Sequence, residues 1–385
     1  MQLLDLIETY NAQDATAERL YAREGRRVRG GRNTPNYKQS LLEAARLYEG
    51  VVNGRIPGWR LQEAMTTSDF SFLFGDIIDR QMLAAYQHTA VMWRNVARRG
   101  VVRDFRTVDR FTLDGGEAIL SEVKQATEYP AAAVQDGRYQ YSVKKYGKRL
   151  PFSWESFIND DLGALRDLPT RLANSARFSE EKFFTSLFAS STGPNSTFFS
   201  VGNANLVTGA PALSVEGITS GFNTLAAQVD TDGNPIYVNA VWLVVPPALE
   251  ITAMNIVNAT EIVAADGGGD GTGNNQLRVT NWMRNRVQIL VDPWLPIVDT
   301  TTGNSAWYLF ADPGVGRPAM EIGFLAGHET PELFMKSPNA TRVGGGLIDP
   351  MDGDFDTDSV DHKVRHTFGG TLMDPKSAVA SLGTA

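Results

Sequence analysis

The sequence predicts an α+β chain of two lobes with long extensions, and three observations predict it. Its 385 residues exceed what one hydrophobic core usually serves. Apolar spacing is helical in some segments and alternating in others, and from about residue 214 helix and strand patterns follow one another in turn. Two stretches, the first 60 residues and the excursion between Arg103 and Tyr146, read as limbs that do not bury themselves on one core.

Composition narrows the class further. Apolar residues make up 42% and charged residues 21%, the balance of a chain that folds rather than one that stays disordered. No uninterrupted run of about 18 apolar residues occurs, and Met1-Gln2-Leu3-Leu4-Asp5 lacks the basic head of a secretory signal, so neither membrane insertion nor export is expected. Cysteine is absent, which excludes disulfides, thiolate nucleophiles and Cys-based zinc sites and suits a reducing cytoplasm. The net charge of -8 argues against a surface generally attractive to nucleic acid. Arg19, Arg23, Arg26, Arg27, Arg29 and Arg32 are the local exception, opposed nearby only by Glu18 and Glu24. They read as a solvated or subunit-facing arm in preference to a DNA contact.

In chain order, Leu3, Ile7 and Tyr10 and then Leu41, Ala45, Tyr48 and Val52 mark two amphipathic helices, broken by Gly30 to Pro35. The run from Phe70 through Met82, Leu83 and Tyr86 suits docking onto a core. Arg103–Leu113 and Arg138–Tyr146 are expected as strands, the two legs of one hairpin whose excursion, with Gly115-Gly116, Pro130 and Asp136-Gly137, is long for a turn. Residues 168–188 predict a helix with Leu168, Leu172, Ala176, Phe183 and Leu187 on its apolar stripe. Asp167 is its expected cap, Pro169 sits in its first turn, and Arg171, Arg177, Glu180, Glu181 and Lys182 lie largely off the stripe. Ser214 should cap a helix bearing Ile218, Phe222, Leu225 and Val229. Ala240–Val245 is a buried strand stopped by Pro246-Pro247, which open a helix carrying Leu249, Ile256 and Val257. Further strands are expected at Val287–Val291, Ala306–Phe310, Ala319–Leu325, Glu332–Met335 and Lys363–Leu372, the last three closing the first lobe. Asp266 to Gly273, with Asp266, Gly268 and Asp270, reads as a surface loop.

Catalytic and ligand motifs fail on their details. The Gly-rich loop lacks the Lys and Ser or Thr of a phosphate loop and the strand-to-helix setting of a dinucleotide fold. His362 and His366 are four apart, but on a strand at about 3.3 Å per residue they stand more than about 10 Å apart. They are expected exposed and unliganded. Asp352, Asp354, Asp356 and Asp358 alternate as calcium ligands do, yet Thr357 holds the sharp-turn glycine position and Lys363 the closing glutamate position, leaving an acidic solvated loop. No Gly-x-Ser-x-Gly elbow names a nucleophile, and Asn159-Asp160-Asp161 is explained by helix capping. No enzyme activity, cofactor or metal is expected.

The run Lys145-Tyr146-Gly147-Lys148-Arg149-Leu150-Pro151-Phe152-Ser153-Trp154-Glu155-Ser156-Phe157-Ile158-Asn159-Asp160-Asp161-Leu162-Gly163 resembles the middle of Mu-type major head subunits of tailed bacteriophages. There a Tyr-Gly pair ends a projecting loop, and an Asn-Asp-Asp-Leu stretch precedes a long spine helix. Lys363 to Gly370 with Asp374-Pro375 looks like the same family's last strand. The resemblance implies a major capsid protein of the Hong Kong 97 fold, located in the virion and assembled in the host cytoplasm. It divides the chain into an N-terminal arm (1–85), a connection and extended loop (86–150), a peripheral domain with the spine helix (151–205 and 318–385) and an axial domain (206–317).

The implied partners are copies of the same chain in hexamers and pentamers, portal and scaffolding proteins, a decoration protein, and packaged double-stranded DNA on the inner face, with no membrane. The Arg19 to Arg32 arm and the extended loop, with Glu117, Glu122, Lys124, Arg138, Lys144 and Lys145, become subunit contacts; Asp266, Gly268 and Asp270 become an axial loop. Relatives that weld their shells join Lys to Asn; Lys124 and Asn339 match by region only, nothing assigns the glutamate this needs, and an ordinary exposed lysine is preferred. Removal of an N-terminal scaffolding segment is not expected. Two other readings compete: an encapsulin-like compartment of the same fold, separated by protein cargo in place of DNA, and a soluble hydrolase, tested by alanine at His328 and Glu329.

Overall fold

The computed structural model describes residues 81–87, 91–114, 135–153, 162–230, 233–236, 238–265, 276–314, 317–336 and 354–384, with isolated positions between 43 and 60. Its first part holds β1 (Arg98–Val102), β2 (Val108–Asp114), β3 (Gln135–Tyr141), β4 (Lys144–Ser153) and the long helix α1 (Leu162–Phe188). After the short pair β5 (Ala189–Ser190) and β6 (Gly193–Pro194) come α2 (Val215–Ala226), β7 (Ala240–Val245), α3 (Glu250–Asn258), β8 (Glu261–Ala265), β9 (Gln276–Thr280), β10 (Gln288–Val291) and β11 (Trp307–Ala311). The chain then returns with β12 (Met320–Leu325), β13 (Glu332–Met335), β14 (Ser359–Leu372) and β15 (Ala378–Ser381).

Two sheets organise this mixed α/β chain. In the first, β14 is the central strand: β4 runs antiparallel along one side, from Ser359↔Ser153 to Phe368↔Lys144. Along the other side lie β13 and then β12, and β1 adds parallel to β12. The second sheet has the order β10-β7-β11-β15. Its edge strand β15 is the last strand of the described chain, so residues 378–381 join the sheet built by residues 240–311. The hairpin expected between residues 103 and 146 is present as β2 and β3, paired antiparallel from Val108↔Tyr141 to Asp114↔Gln135.

One core joins the sheets. Phe184 and Phe188 of α1, Trp93, Phe324 and Phe368 from the first sheet's side, and Tyr308, Phe310, Ala378 and Ala380 of the second form one buried cluster. Strand alternation sends the intervening Trp307 and Leu309 of β11 to the opposite face, where they pack with Ile218, Leu225, Ala253 and Val257. Ser214 caps α2 as expected, its Oγ accepting from the Gly217 amide at 3.0 Å, a contribution of about 1 kcal/mol. Val229 lies past the end of that helix and is exposed. Met82, Leu83 and Tyr86 are buried, as the docking reading required, Met82 and Tyr86 packing with Leu172, Ala173, Ala176 and Val364.

Three expectations need correction. First, α1 begins at Leu162, not at 168, so Asp167 does not cap it and Pro169 lies inside it. Inside a helix proline loses one i→i−4 hydrogen bond and its ring crowds the carbonyl of residue i−4, a cost that α1 carries at Pro169, so a proline is not always a start signal. Second, Arg177, Glu180 and Glu181 are at most 7% exposed, although their charge suggested an outward face. Their positions continue the 3.6-residue stripe between Ala173 and Phe184, and they are tolerated there because Arg177 and Glu180 pair and Glu181 is hydrogen-bonded. Third, His362 and His366 are buried instead of exposed, because alternation along β14 places both on the face covered by α1. Asp354 likewise is buried against Lys336, at 2.5 Å, while Asp356 and Asp358 remain exposed; Asp352 lies outside the described residues.

Candidate assembly interface

Two faces of the first sheet do different work. Towards α1, Glu180 is fully buried and collects four donors. Tyr86 Oη donates at 2.5 Å, His366 Nε2 at 2.7 Å, Trp93 Nε1 at 3.0 Å and Arg177 Nη1 at 3.1 Å. The Arg177 guanidinium also lies 3.3 Å from the Tyr86 ring centroid and donates to the Tyr86 carbonyl at 2.7 Å. Burial by itself would raise the Glu180 carboxyl, but the hydrogen bond and charge of His366, then Arg177 and Tyr86, hold it at about 2. One ionised carboxylate thus fastens Tyr86, Trp93, α1 and β14 to one another.

One turn on, α1 meets the second sheet. Glu181 Oε1 accepts from the Met92 amide at 2.7 Å, while its Oε2 is buried with no hydrogen bond. Asp292, which follows β10 and is fully buried, accepts from Thr185 Oγ1 at 2.6 Å and from the Trp294 amide at 2.8 Å. Burial pushes Glu181 up to about 8, helped by the negative charges of Asp292 and Glu180, and pushes Asp292 up to about 6.

The outward face carries the hairpin. Glu321 of β12 is fully buried and takes Tyr141 Oη from β3 at 2.5 Å and Arg110 Nε from β2 at 2.7 Å, with Arg98 Nε at 3.7 Å. Close approach depends on glycine: a Cβ at Gly323 would stand 2.4 Å from Tyr141 Oη, and one at Gly100 would stand 2.3 Å from Glu321 Oε1. Burial first, then Glu321, raises the Tyr141 phenol, so it stays a donor. Both legs are therefore tied to the sheet through one carboxylate. Arg138, expected at a subunit contact, pairs within the hairpin with Asp109 at 2.9 and 3.2 Å.

Further along that face the register sets Arg149 opposite Lys363 and Gly147 opposite Arg365, with Lys145 beyond them opposite Thr367. Opposite residues of an antiparallel pair share a face, so four cations gather there. Arg149 is paired with Asp361 at 2.6 Å and Arg365 with Glu332 at 2.5 Å, leaving Lys145 and Lys363 in excess. Lys363 and Arg365 both lie over the Phe334 ring, at 4.9 and 4.5 Å. Lys144 and Lys145 thus begin β4 at the sheet, and both are exposed. Sequence reasoning missed Glu321, Arg149, Lys363 and Arg365; only the strand register brings them together. Arg19, Arg23, Arg26, Arg27, Arg29, Arg32, Glu117, Glu122, Lys124, Asp266, Gly268, Asp270 and Asn339 lie outside the described residues. Among the described residues no group of three or more His, Asp or Glu side chains is placed to hold a metal ion, and no helix is long and apolar enough to cross a membrane.

The hairpin is thus held at its base on a sheet face that carries an excess of positive charge. The chain belongs to the phage capsid protein family, whose sequence model matches residues 138–381. It is a phage capsid protein, and its place is the virion capsid. Among solved structures it is similar to a chain of Gordonia phage Cozz at 14% identity, covering 74% of this chain and 83% of that one with a TM-score of 0.42. It is also similar to one described as the capsid structure of the cyanophage P-SCSP1u, at 12% identity over 76% and 87% of the two chains with a TM-score of 0.43. A chain of Mycobacterium phage Bobi is similar at 12% identity over 79% and 97%, with a TM-score of 0.42. No curated protein matches this chain.

Proposed function

We propose that the chain is a Hong Kong 97-type shell subunit that closes into hexamers and pentamers to form an icosahedral head around double-stranded DNA, each extended loop lying on the outward sheet face of a neighbour. Its role is structural. On this reading residues 1–85 are the arm, 86–150 the connection and extended loop, 151–205 and 318–385 the peripheral domain around α1, and 206–317 the axial domain, with β15 crossing into the axial sheet. The arm's arginines lie against neighbours, and Asp266, Gly268 and Asp270 belong to a loop at the ring centre. Portal and scaffolding proteins and a decoration protein are the further partners this reading expects.

The observation that carries it is a charge match between two different parts of one chain. Residues 114–136 hold Asp114, Glu117, Glu122, Glu128 and Asp136 against Lys124 alone. The outward sheet face holds Lys145, Arg149, Lys363 and Arg365 against Glu332 and Asp361. A ring needs a heterologous contact, in which one patch meets a different patch on the next copy. Opposite signs on those patches favour that pairing and disfavour like patches meeting. Replacing Glu117, Glu122 and Glu128 together by lysine should leave soluble subunits that no longer form shells in the electron microscope. Adding Lys145→Glu and Lys363→Glu should restore part of the yield; normal shells from the triple variant would contradict the proposal.

A further inference from the structure

We infer that the exposed stripe of α1 between Arg171 and Lys182 is a docking surface for the phosphate backbone of the enclosed nucleic acid, an inference that rests on the proposed enclosure of DNA. On its buried side α1 spends its acids: Glu180 is fully buried and Glu181 is 7% exposed. Its opposite side, from residue 170 to 186, exposes two charged side chains, and both are cations. Arg171 and Lys182 are separated by three helical turns, about 16 Å along the axis, so they share one face. Asn174, Ser175 and Phe178 line the shallow groove between them, with Trp294 along its edge.

The groove is built to keep its charge available. Neither Arg171 nor Lys182 has an ion pair among the described residues, and the nearby Asp292 is fully buried behind the groove. Lys182 Nζ lies 5.9 Å from the Trp294 ring, and Trp294 meets the ring of the 54%-exposed Phe178 edge-on at 6.0 Å. Cation–π contact holds the ammonium over the groove without neutralising it.

Phosphate fits these features better than a protein surface does. Each strand of a duplex presents a phosphate about every 3.4 Å along the axis, so two cations about 16 Å apart meet phosphates whatever the sequence or register. An acidic protein segment would have to match that separation. A chain of net charge -8 repels a polyanion in general, which confines the contact to such an acid-free stripe. Two contacts per copy are weak alone, and a shell of many copies multiplies them.

The test measures binding of a labelled DNA duplex of about 20 base pairs to the unassembled full chain over a range of salt concentrations. Two phosphate contacts contribute a slope of about -1.8 in log K against log salt. Arg171→Gln with Lys182→Gln should lose that contribution, and Arg171→Lys should keep it; both sites are exposed, so the fold is retained. An unchanged slope in the double variant overturns the inference. A variant that binds duplex normally yet forms no shells also overturns it, and reassigns the stripe to a contact between copies. Nucleic acid content of particles made in cells is read separately: wild-type shells that exclude DNA while the slope still falls would defeat the proposed enclosure and leave the binding stripe standing.

Discussion

Glu180→Ala should cost the folded subunit about 3–5 kcal/mol, the largest loss expected from any single substitution in the first sheet's core. The magnitude comes less from the removed carboxylate than from what it leaves behind. Arg177 is 1% exposed and would keep its positive charge with no anion to face it. Tyr86 Oη, Trp93 Nε1 and His366 Nε2 would lose their acceptor in a site closed to water, each an unsatisfied donor costing about 1–3 kcal/mol. Glu180→Gln keeps an acceptor oxygen and should lose less. Denaturant unfolding of dissociated subunits measures both; a shift under about 1 kcal/mol for the alanine variant would show that the hub is not what holds Tyr86 and Trp93 to the sheet.

Raising the pH from 6 to 9 should loosen the junction between α1 and the second sheet, and Glu181→Gln should remove much of that sensitivity. The direction follows from the carboxylates themselves. Glu181 is raised to about 8 in the folded chain from an ordinary value of 4.5, so the folded state holds the proton more tightly than the unfolded one. Its contribution to stability is complete below 4.5 and is lost as pH rises through 8. Asp292, raised to about 6 from 3.8, behaves the same way, complete below 3.8 and lost as pH rises through 6. Glu180 runs opposite: held at about 2, its contribution is present above 4.5 and is lost only as pH falls through 2. Above pH 8 three carboxylates crowd one stretch of α1 and its neighbour, with Arg177 and His366 engaged by Glu180. The wild-type free energy of unfolding should fall across this range by an amount on the order of 2 kcal/mol. A wild type and a Glu181→Gln variant with parallel pH profiles would remove the account of this junction.

Much of the architecture was legible in the sequence because local patterns and tertiary structure agree. Ala240–Val245 ends at Pro246 where its continuous apolar run stops, Ser214 caps α2, and Glu332–Met335 is a strand at its expected bounds. The hairpin was legible from alternation at Tyr139 and Tyr141, and the resemblance around Lys145 to Gly163 pointed to a phage capsid protein, which the matched sequence model bears out at that coarser level. What failed was the assumption that charge means exposure. Arg177, Glu180 and His366 satisfy one another across more than 180 residues of chain, and no pattern within a single helix or strand reports a partner that distant.

The candidate interface was legible in only one half. Glu117 and Glu122 could be named from the long excursion between two expected strands, where Asp114, Glu117, Glu122, Glu128 and Asp136 face Lys124 alone. The surface proposed to receive them could not, because Lys145, Arg149, Lys363 and Arg365 become neighbours only through the pairing of β4 with β14. Nor does any motif mark Glu321 as the anchor of the hairpin, as its partners Arg110 and Tyr141 lie 211 and 180 residues away.

The central claim is that limbs unable to bury themselves find their cover on identical copies. Electron microscopy of the purified chain under assembly conditions, with sedimentation of the same sample, tests it most directly. Closed shells of uniform diameter, with rings of six and five subunits, are the expected result. A monomer or a discrete small oligomer under every condition would contradict it.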